Sequence, residues 1–317
     1  MRGAERPGGY ESGCVAAVTT RAFDVAAELA PDGVEVRRLP DGLDAAAFVL
    51  PEWDDRETVD ALPQLERLRV VQVLSAGTDW IETRLPAWAT LCNARGTRDA
   101  SVAEWVVGAL LGDAYGQFSS ARARRWSDAR PRELQGATVL IAGFGSIGRA
   151  VKRRLEPFGV TVIGVARHAR DGVHGTVELP ELVGHADAVV VLAPLTPETT
   201  GLFDAALLAR LRDGALLVNA GRGGVVDTAA LLAELESGRL RAVLDVVEPE
   251  PLPDDNPLWE AALAITPHNA GDTAAADERA VRFGAEQLAR FARGEPLLNV
   301  VREAAYPDRS VNPQGSR

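Results

Sequence analysis

Thr138-Val-Leu-Ile-Ala142-Gly143-Phe-Gly145-Ser-Ile-Gly148-Arg149 is a short apolar run that closes on a glycine-rich turn and passes into a basic segment. It reads as strand, turn, helix. In that setting Gly143 permits a tight turn, Gly145 lets backbone approach a pyrophosphate, and Gly148 lets the helix pack on the strand. The free N–H groups of the helix start would then face the phosphates. Gly143, Phe144, Gly145, Ser146, Ile147 and Gly148 are therefore candidate dinucleotide contacts. Spacing alone leaves open a glycine turn with a purely structural purpose.

The rhythm continues on both sides. Downstream, a helix is expected over Arg149–Phe158 and strands at Thr161–Val165, Ala188–Leu192, Ala215–Asn219 and Ala242–Val246. Upstream, short apolar runs at Val15–Thr20, Val34–Leu39 and Ala46–Leu50 alternate with turn residues, and Ala22–Ala30 reads as helical. A charged helix Arg56–Leu65, a strand Arg69–Leu74 and a loop Ser75–Asp79 follow. A long helix is expected to begin after Asp99 or Ser101, because Ser101 and Glu104 have capping-box spacing. Ser119–Arg132 reads as an exposed connection, and the final helix spans Asp272–Arg293. The fold class is α/β, with two doubly wound parallel-sheet domains, flavodoxin-like and Rossmann, and a cleft between them. The expected division is a discontinuous substrate domain (13–98 and 273–301), a dinucleotide-binding domain (99–272) and a polar tail (302–317), disordered from Pro307 onward.

Bulk properties exclude some classes. The chain has 317 residues, 46% of them hydrophobic, and a formal net charge of -11, so it can bury substantial cores but would repel phosphate backbones and anionic lipid. Nucleic acid and membrane are poor partners. The first dozen residues lack an apolar signal region and no run is long enough to span a bilayer, so the expectation is a cytoplasmic protein. Cys14 and Cys92 offer neither a metal-ligand spacing nor a disulfide framework, and both are expected to be buried thiols.

The strand after the glycine turn normally ends in an acid that accepts from the adenosine 2′-hydroxyl. Here Val162-Ile-Gly-Val-Ala-Arg167-His168 has none. A carboxylate would repel a 2′-phosphate, whereas a guanidinium can grip one, so NADP is favoured over NAD through Arg167, helped by His168 or Arg170. The plainer alternative is a group of solvated loop cations.

Several segments, in order along the chain, resemble the D-isomer-specific 2-hydroxyacid dehydrogenases, the group that includes glyoxylate and hydroxypyruvate reductases. They are Leu74-Ser-Ala-Gly77-Thr-Asp79, Val102-Ala-Glu104-Trp, the glycine turn, Pro194-Leu-Thr-Pro-Glu-Thr-Thr-Gly201-Leu, Val218-Asn-Ala-Gly-Arg222-Gly, Asp245-Val-Val-Glu-Pro-Glu250-Pro and Thr266-Pro-His268. The resemblance runs from about Val15 to Val300 and implies a catalytic set of Arg222, Glu250 and His268. Chemistry assigns the same roles. A 2-keto acid needs a cation for its carboxylate and carbonyl oxygen, which the fork of Arg222 suits. It also needs a proton donor titrating near neutrality, which His268 supplies, and a carboxylate to fix that ring's tautomer, which is Glu250. For each residue alone, a solvated or capping role is the plain alternative. His168, His174 and His185 read as surface residues.

The resemblance further implies that Asp245 contacts the nicotinamide carboxamide, against a plain strand-end acid. Backbone groups of Asn219, Ala220 and Gly221 would line the nicotinamide ribose, and Ala193, Pro194 and Thr199 would border the adenosine. Small residues at Ser75, Ala76 and Gly77 leave amides free to cradle the substrate carboxylate. Trp53 either walls the substrate pocket or is an ordinary half-buried Trp. The implied partner is a small 2-keto or 2-hydroxy acid, and the implied assembly a homodimer. A rival reading is a nucleotide-sensing, corepressor-like interaction module of the same fold. Short-chain reductase chemistry is excluded, because the position four before the lone Lys152 is Gly148, not Tyr.

Overall fold

Val189 to Val191 and Leu216 to Val218 carry no polar alternation, the mark of parallel strands covered on both faces, and all six are buried. The computed structural model describes residues 14–123, 125–126 and 130–305. The Met1–Ser12 and Pro307–Arg317 segments lie outside the described residues. The strands are β1 Cys14–Val18, β2 Val34–Arg38, β3 Ala46–Leu50, β4 Val70–Gln72, β5 Thr90–Cys92, β6 Thr138–Ala142, β7 Thr161–Ala166, β8 His174–Gly175, β9 Ala188–Val191, β10 Leu216–Asn219, β11 Arg241–Leu244, β12 Ala264–Ile265 and β13 Val300–Arg302. The described residues divide into two compact units, one within Met1–Arg98 and Ala274–Arg317, the other Asp99–Thr273. Thr273 thus falls one residue beyond the boundary read from sequence. Its hydroxyl lies 2.8 Å from that of Ser101, within the same unit.

In the first unit the sheet order is β13-β5-β4-β3-β1-β2, with β1 to β5 parallel and β13 antiparallel on β5. Phe48, Leu50 and Leu74 face the long helix Ala274–Ala292. That helix approaches closely at Gly284, where a Cβ would meet the Leu50 side chain at 2.6 Å. Val49, Val71 and Leu91 pack on the opposite face against Leu62, Leu68 and Ile81. Arg302, expected in the polar tail, instead belongs to β13. Its guanidinium donates to the carbonyls of Glu82 and Pro86 at 3.2 and 2.8 Å.

In the second unit seven parallel strands run β12-β11-β10-β9-β6-β7-β8. Strand order reverses between β6 and β9, the switch point where open α/β sheets bind ligands beyond the carboxyl ends of their strands. Apolar cores cover both faces. One holds Leu140, Val189, Leu217 and Phe203, the other Val139, Ile141, Val190 and Val218 under the helix Asp99–Ala114.

Two local expectations need correction. The helix begins at Asp99, and Ser101 sits buried inside it, bonded to Thr273, while Glu104 pairs with Arg154. A tertiary hydroxyl partner has replaced the capping box. The expected connection Ser119–Arg132 starts inside a helix, residues 117 to 123, held by Arg122 donating to the carbonyls of Trp259, Glu260 and Ala262. Among the described residues no helix is long and apolar enough to cross a membrane.

Candidate active site

In the second unit, the parallel register brings distant segments to one edge of the sheet. Arg167 follows β7, the glycine turn follows β6, Ala193 and Pro194 follow β9, Asn219 to Arg222 end or follow β10, Asp245 follows β11, and His268 follows β12. Strands about 4.8 Å apart place the β7 and β11 ends roughly 20 Å from each other, the reach of an extended dinucleotide.

At the β12 end, His268 Nδ1 lies 2.9 Å from Glu250 Oε2. The other Glu250 oxygen accepts from the Val247 amide at 3.0 Å, so the carboxylate is held at both ends. His268 has φ 52°, a left-handed conformation costly for a residue with a Cβ. What holds it there is Asp245. The Asp245 carbonyl accepts from the His268 amide at 2.8 Å. The carboxylate, buried at 4% exposure, accepts from the Thr266 hydroxyl at 2.5 Å and from the Asn269 and Ala270 amides at 3.0 and 3.1 Å. Sequence reading missed this clip, because two of its three donors are backbone amides that carry no residue signature. Arg222 Nη1 donates to the Gly221 carbonyl at 2.8 Å, folding the base of the guanidinium against its own turn.

The turn after β10 is braced by its own groups. The Ala220 amide donates to Val191, the Gly221 amide donates to Asn219 Oδ1, and the Asn219 carbonyl accepts from the Asp245 amide. Buried Asn219 acts through its side chain, which also donates to the Arg222 carbonyl at 3.1 Å. The Thr199 hydroxyl is likewise engaged, donating to the Pro194 carbonyl at 2.6 Å and accepting from the Thr196 amide at 2.8 Å. Ala193 is buried against the glycine turn, while Pro194 is exposed.

The Phe144 ring is turned into the core, filling the space that Gly164 leaves by lacking a Cβ. Its carbonyl accepts from Arg170 at 2.6 Å, so Arg170 braces the glycine turn and is not aimed past the end of β7. Arg167 pairs with Glu198 at 3.1 Å, and His168, His174 and His185 are exposed.

In the first unit, Ser75 donates to the Gly77 carbonyl at 2.7 Å, and Asn93 donates to the Ala76 carbonyl at 2.7 Å. Among the described residues the Ala76 and Gly77 amides make no hydrogen bond. Trp53 is 73% exposed, so it is not a half-buried Trp. Cys92 is buried but Cys14 only half-buried. Among the described residues no cluster of His, Cys, Asp or Glu is able to hold a metal ion.

Residues 109–270 match the family model for the NAD binding domain of D-isomer specific 2-hydroxyacid dehydrogenases. A glycerate dehydrogenase of Methylorubrum extorquens is 33% identical over 76% of this chain and 81% of its own length. This chain belongs to the D-isomer specific 2-hydroxyacid dehydrogenase family.

Other family members vary in size and substrate. The D-3-phosphoglycerate dehydrogenase of Methanocaldococcus jannaschii is 33% identical over 80% of this chain, but the match spans only 51% of that enzyme. The chain thus spans about half the length of the phosphoglycerate dehydrogenases it resembles. An NADPH-dependent glyoxylate/hydroxypyruvate reductase of Sinorhizobium meliloti, solved with NADP and sulfate, superposes with a TM-score of 0.78 at 31% identity, covering 91% of this chain and 98% of that one.

The glycine turn fits the dinucleotide of this dehydrogenase family. Gly143 has φ 103°, and a Cβ there would stand 2.4 Å from the Leu192–Ala193 backbone. A Cβ on Gly148 would meet the Gly143 carbonyl at 3.0 Å. Gly145 is different, since no protein atom lies within 4 Å of where its Cβ would be. Two glycines are required by the protein's own packing. The third faces open space beside the start of the helix Ser146–Leu155, where a phosphate would approach.

Proposed function

We propose that this dehydrogenase reduces a small 2-keto acid to the D-2-hydroxy acid, and oxidises it in reverse, with NADPH preferred to NADH. The observation that carries the reading is the His268–Glu250 pair at 2.9 Å, set on the same sheet edge as Arg222 and the glycine turn. Gly143 to Gly148 would hold a nicotinamide cofactor, which would supply or accept the hydride.

His268 acts as the acid. Nδ1 faces the Glu250 carboxylate as donor, so the ring's other nitrogen is left to protonate the carbonyl oxygen as the carbon gains hydride. The carboxylate partner also stabilises the cationic ring before transfer. Arg222 holds the substrate carboxylate and polarises its carbonyl. The Ala76 and Gly77 amides are assigned to an anionic group of the substrate. The same reading assigns a cytoplasmic protein and a homodimer, and light scattering on the purified chain checks the dimer.

Glyoxylate, hydroxypyruvate and phenylpyruvate, each assayed with NADPH and NADH, test the substrate class. His268→Ala is expected to lower kcat about 10²- to 10⁴-fold while leaving cofactor affinity nearly unchanged. Undiminished turnover in that variant would remove the acid from the scheme.

A further inference from the structure

In sheet order β9-β6-β7, the strand that carries the glycine turn lies between the other two. Arg167 leaves the end of β7 and Glu198 sits on the loop after β9, so their 3.1 Å ion pair arches over the end of β6, bridging two strand spacings, about 10 Å. A dinucleotide whose phosphates meet the start of the helix Ser146–Leu155 lays its adenosine at this place, between the two loops. The pair is therefore part of the adenosine site.

The two partners are held differently. Glu198 rides on a stiff turn, in which the Thr196 amide donates to the Thr199 hydroxyl at 2.8 Å and the Thr199 and Thr200 amides donate to the Thr196 carbonyl at 3.0 and 2.9 Å. Hydrogen bonding to Thr196, its own backbone amide and the charge of Arg167 hold the Glu198 carboxyl below the usual carboxylate range, so it is anionic at neutral pH. Arg167 is a long, exposed side chain, and among the described residues Glu198 is its ion-pair partner. Both side chains are exposed, Arg167 at 69% and Glu198 at 59%, but the Glu198 carboxyl also bonds Thr196 of its own turn.

We propose that Glu198 is a specificity-determining residue, competing with an adenosine 2′-phosphate for Arg167 and so limiting the preference for NADPH over NADH. This rests on the reading of Arg167 as the 2′-phosphate cation. A 2′-phosphate draws Arg167 off Glu198 and meets the repulsion of the carboxylate left behind. A 2′-hydroxyl disturbs neither charge. Discrimination is set by the difference between two ion pairs, not by Arg167 alone.

Direct titration of the full chain with NADPH, NADH, adenosine 2′,5′-bisphosphate and adenosine 5′-monophosphate tests this, comparing wild type, Glu198→Gln, Arg167→Gln and the double variant. Glu198→Gln is expected to tighten both 2′-phosphorylated ligands roughly three- to tenfold, the scale for one exposed charge near contact, and to leave the other two within about twofold. The gain shrinks with added salt and is smaller when Arg167 is also replaced, because the competition for the guanidinium is then gone and only the direct repulsion is relieved. An NADPH preference that Arg167→Gln abolishes but Glu198→Gln leaves unmoved overturns the role of Glu198 while sparing that of Arg167. Loss of NADH affinity in Glu198→Gln, with NADPH unmoved, also overturns it and makes Glu198 the acceptor of the 2′-hydroxyl. Indifference of wild type and Arg167→Gln alike to the 2′-phosphate removes the NADPH reading and this inference together.

Discussion

His268 stands in a left-handed conformation because the Asp245 carboxylate gathers the Thr266 hydroxyl and the Asn269 and Ala270 amides around itself. The strained position of His268 and the burial of Asp245 are two sides of one arrangement. Asp245→Asn turns one acceptor into a donor facing the Ala270 amide. It is expected to cost about 1–3 kcal/mol in urea unfolding and to lower kcat through the displaced His268 ring. A wild-type kcat would show the clip to be idle. The Glu250–His268 contact was legible because each residue stands in its own motif. The Asn269 and Ala270 partners of Asp245 were not, since backbone amides look alike in any sequence. Cys92 gives a separate test. Burial pushes its thiol up to about 12, so it should resist Ellman's reagent at pH 8 in the native protein and react once denatured.

At the scale of elements, the glycine turn separates what folding needs from what a ligand needs. Gly143→Ala forces a Cβ into the Leu192–Ala193 backbone at a φ of 103° and is expected to destabilise by about 2–4 kcal/mol. Gly145→Ala meets no protein atom, so its melting temperature should stay close to wild type while cofactor affinity falls. Equal stability loss in both variants would contradict the open space at Gly145. The central strands were legible from unbroken apolar runs, but the short strands β5, β8, β12 and β13 were not named. Strands of two or three residues carry little pattern, and β13 exists because β5 offers it an edge. The helix at residues 117 to 123 escaped notice for a similar reason: its polar sequence reads as a loop, and Arg122 ties it to carbonyls more than a hundred residues away.

For the whole molecule, the apolar clusters keep to their own units. The two around β6 to β12 use residues 102 to 270, and the two around β1 to β5 draw on residues up to 94 and from 280 to 291. The unit Asp99–Thr273 is continuous, so a fragment of residues 99–273 is expected to unfold cooperatively and to bind cofactor without turning over substrate. A fragment with no thermal transition would show that its core is not self-sufficient. Sequence by itself determined the α/β alternation, the glycine turn and the family, because periodicity and motif are properties of consecutive residues. Tertiary structure alone decided that Glu198 meets Arg167, that Arg170 braces Phe144, that Phe144 points inward and that Trp53 faces outward. Those outcomes depend on which strand ends become neighbours and which faces are covered, and sheet order, not chain order, sets both.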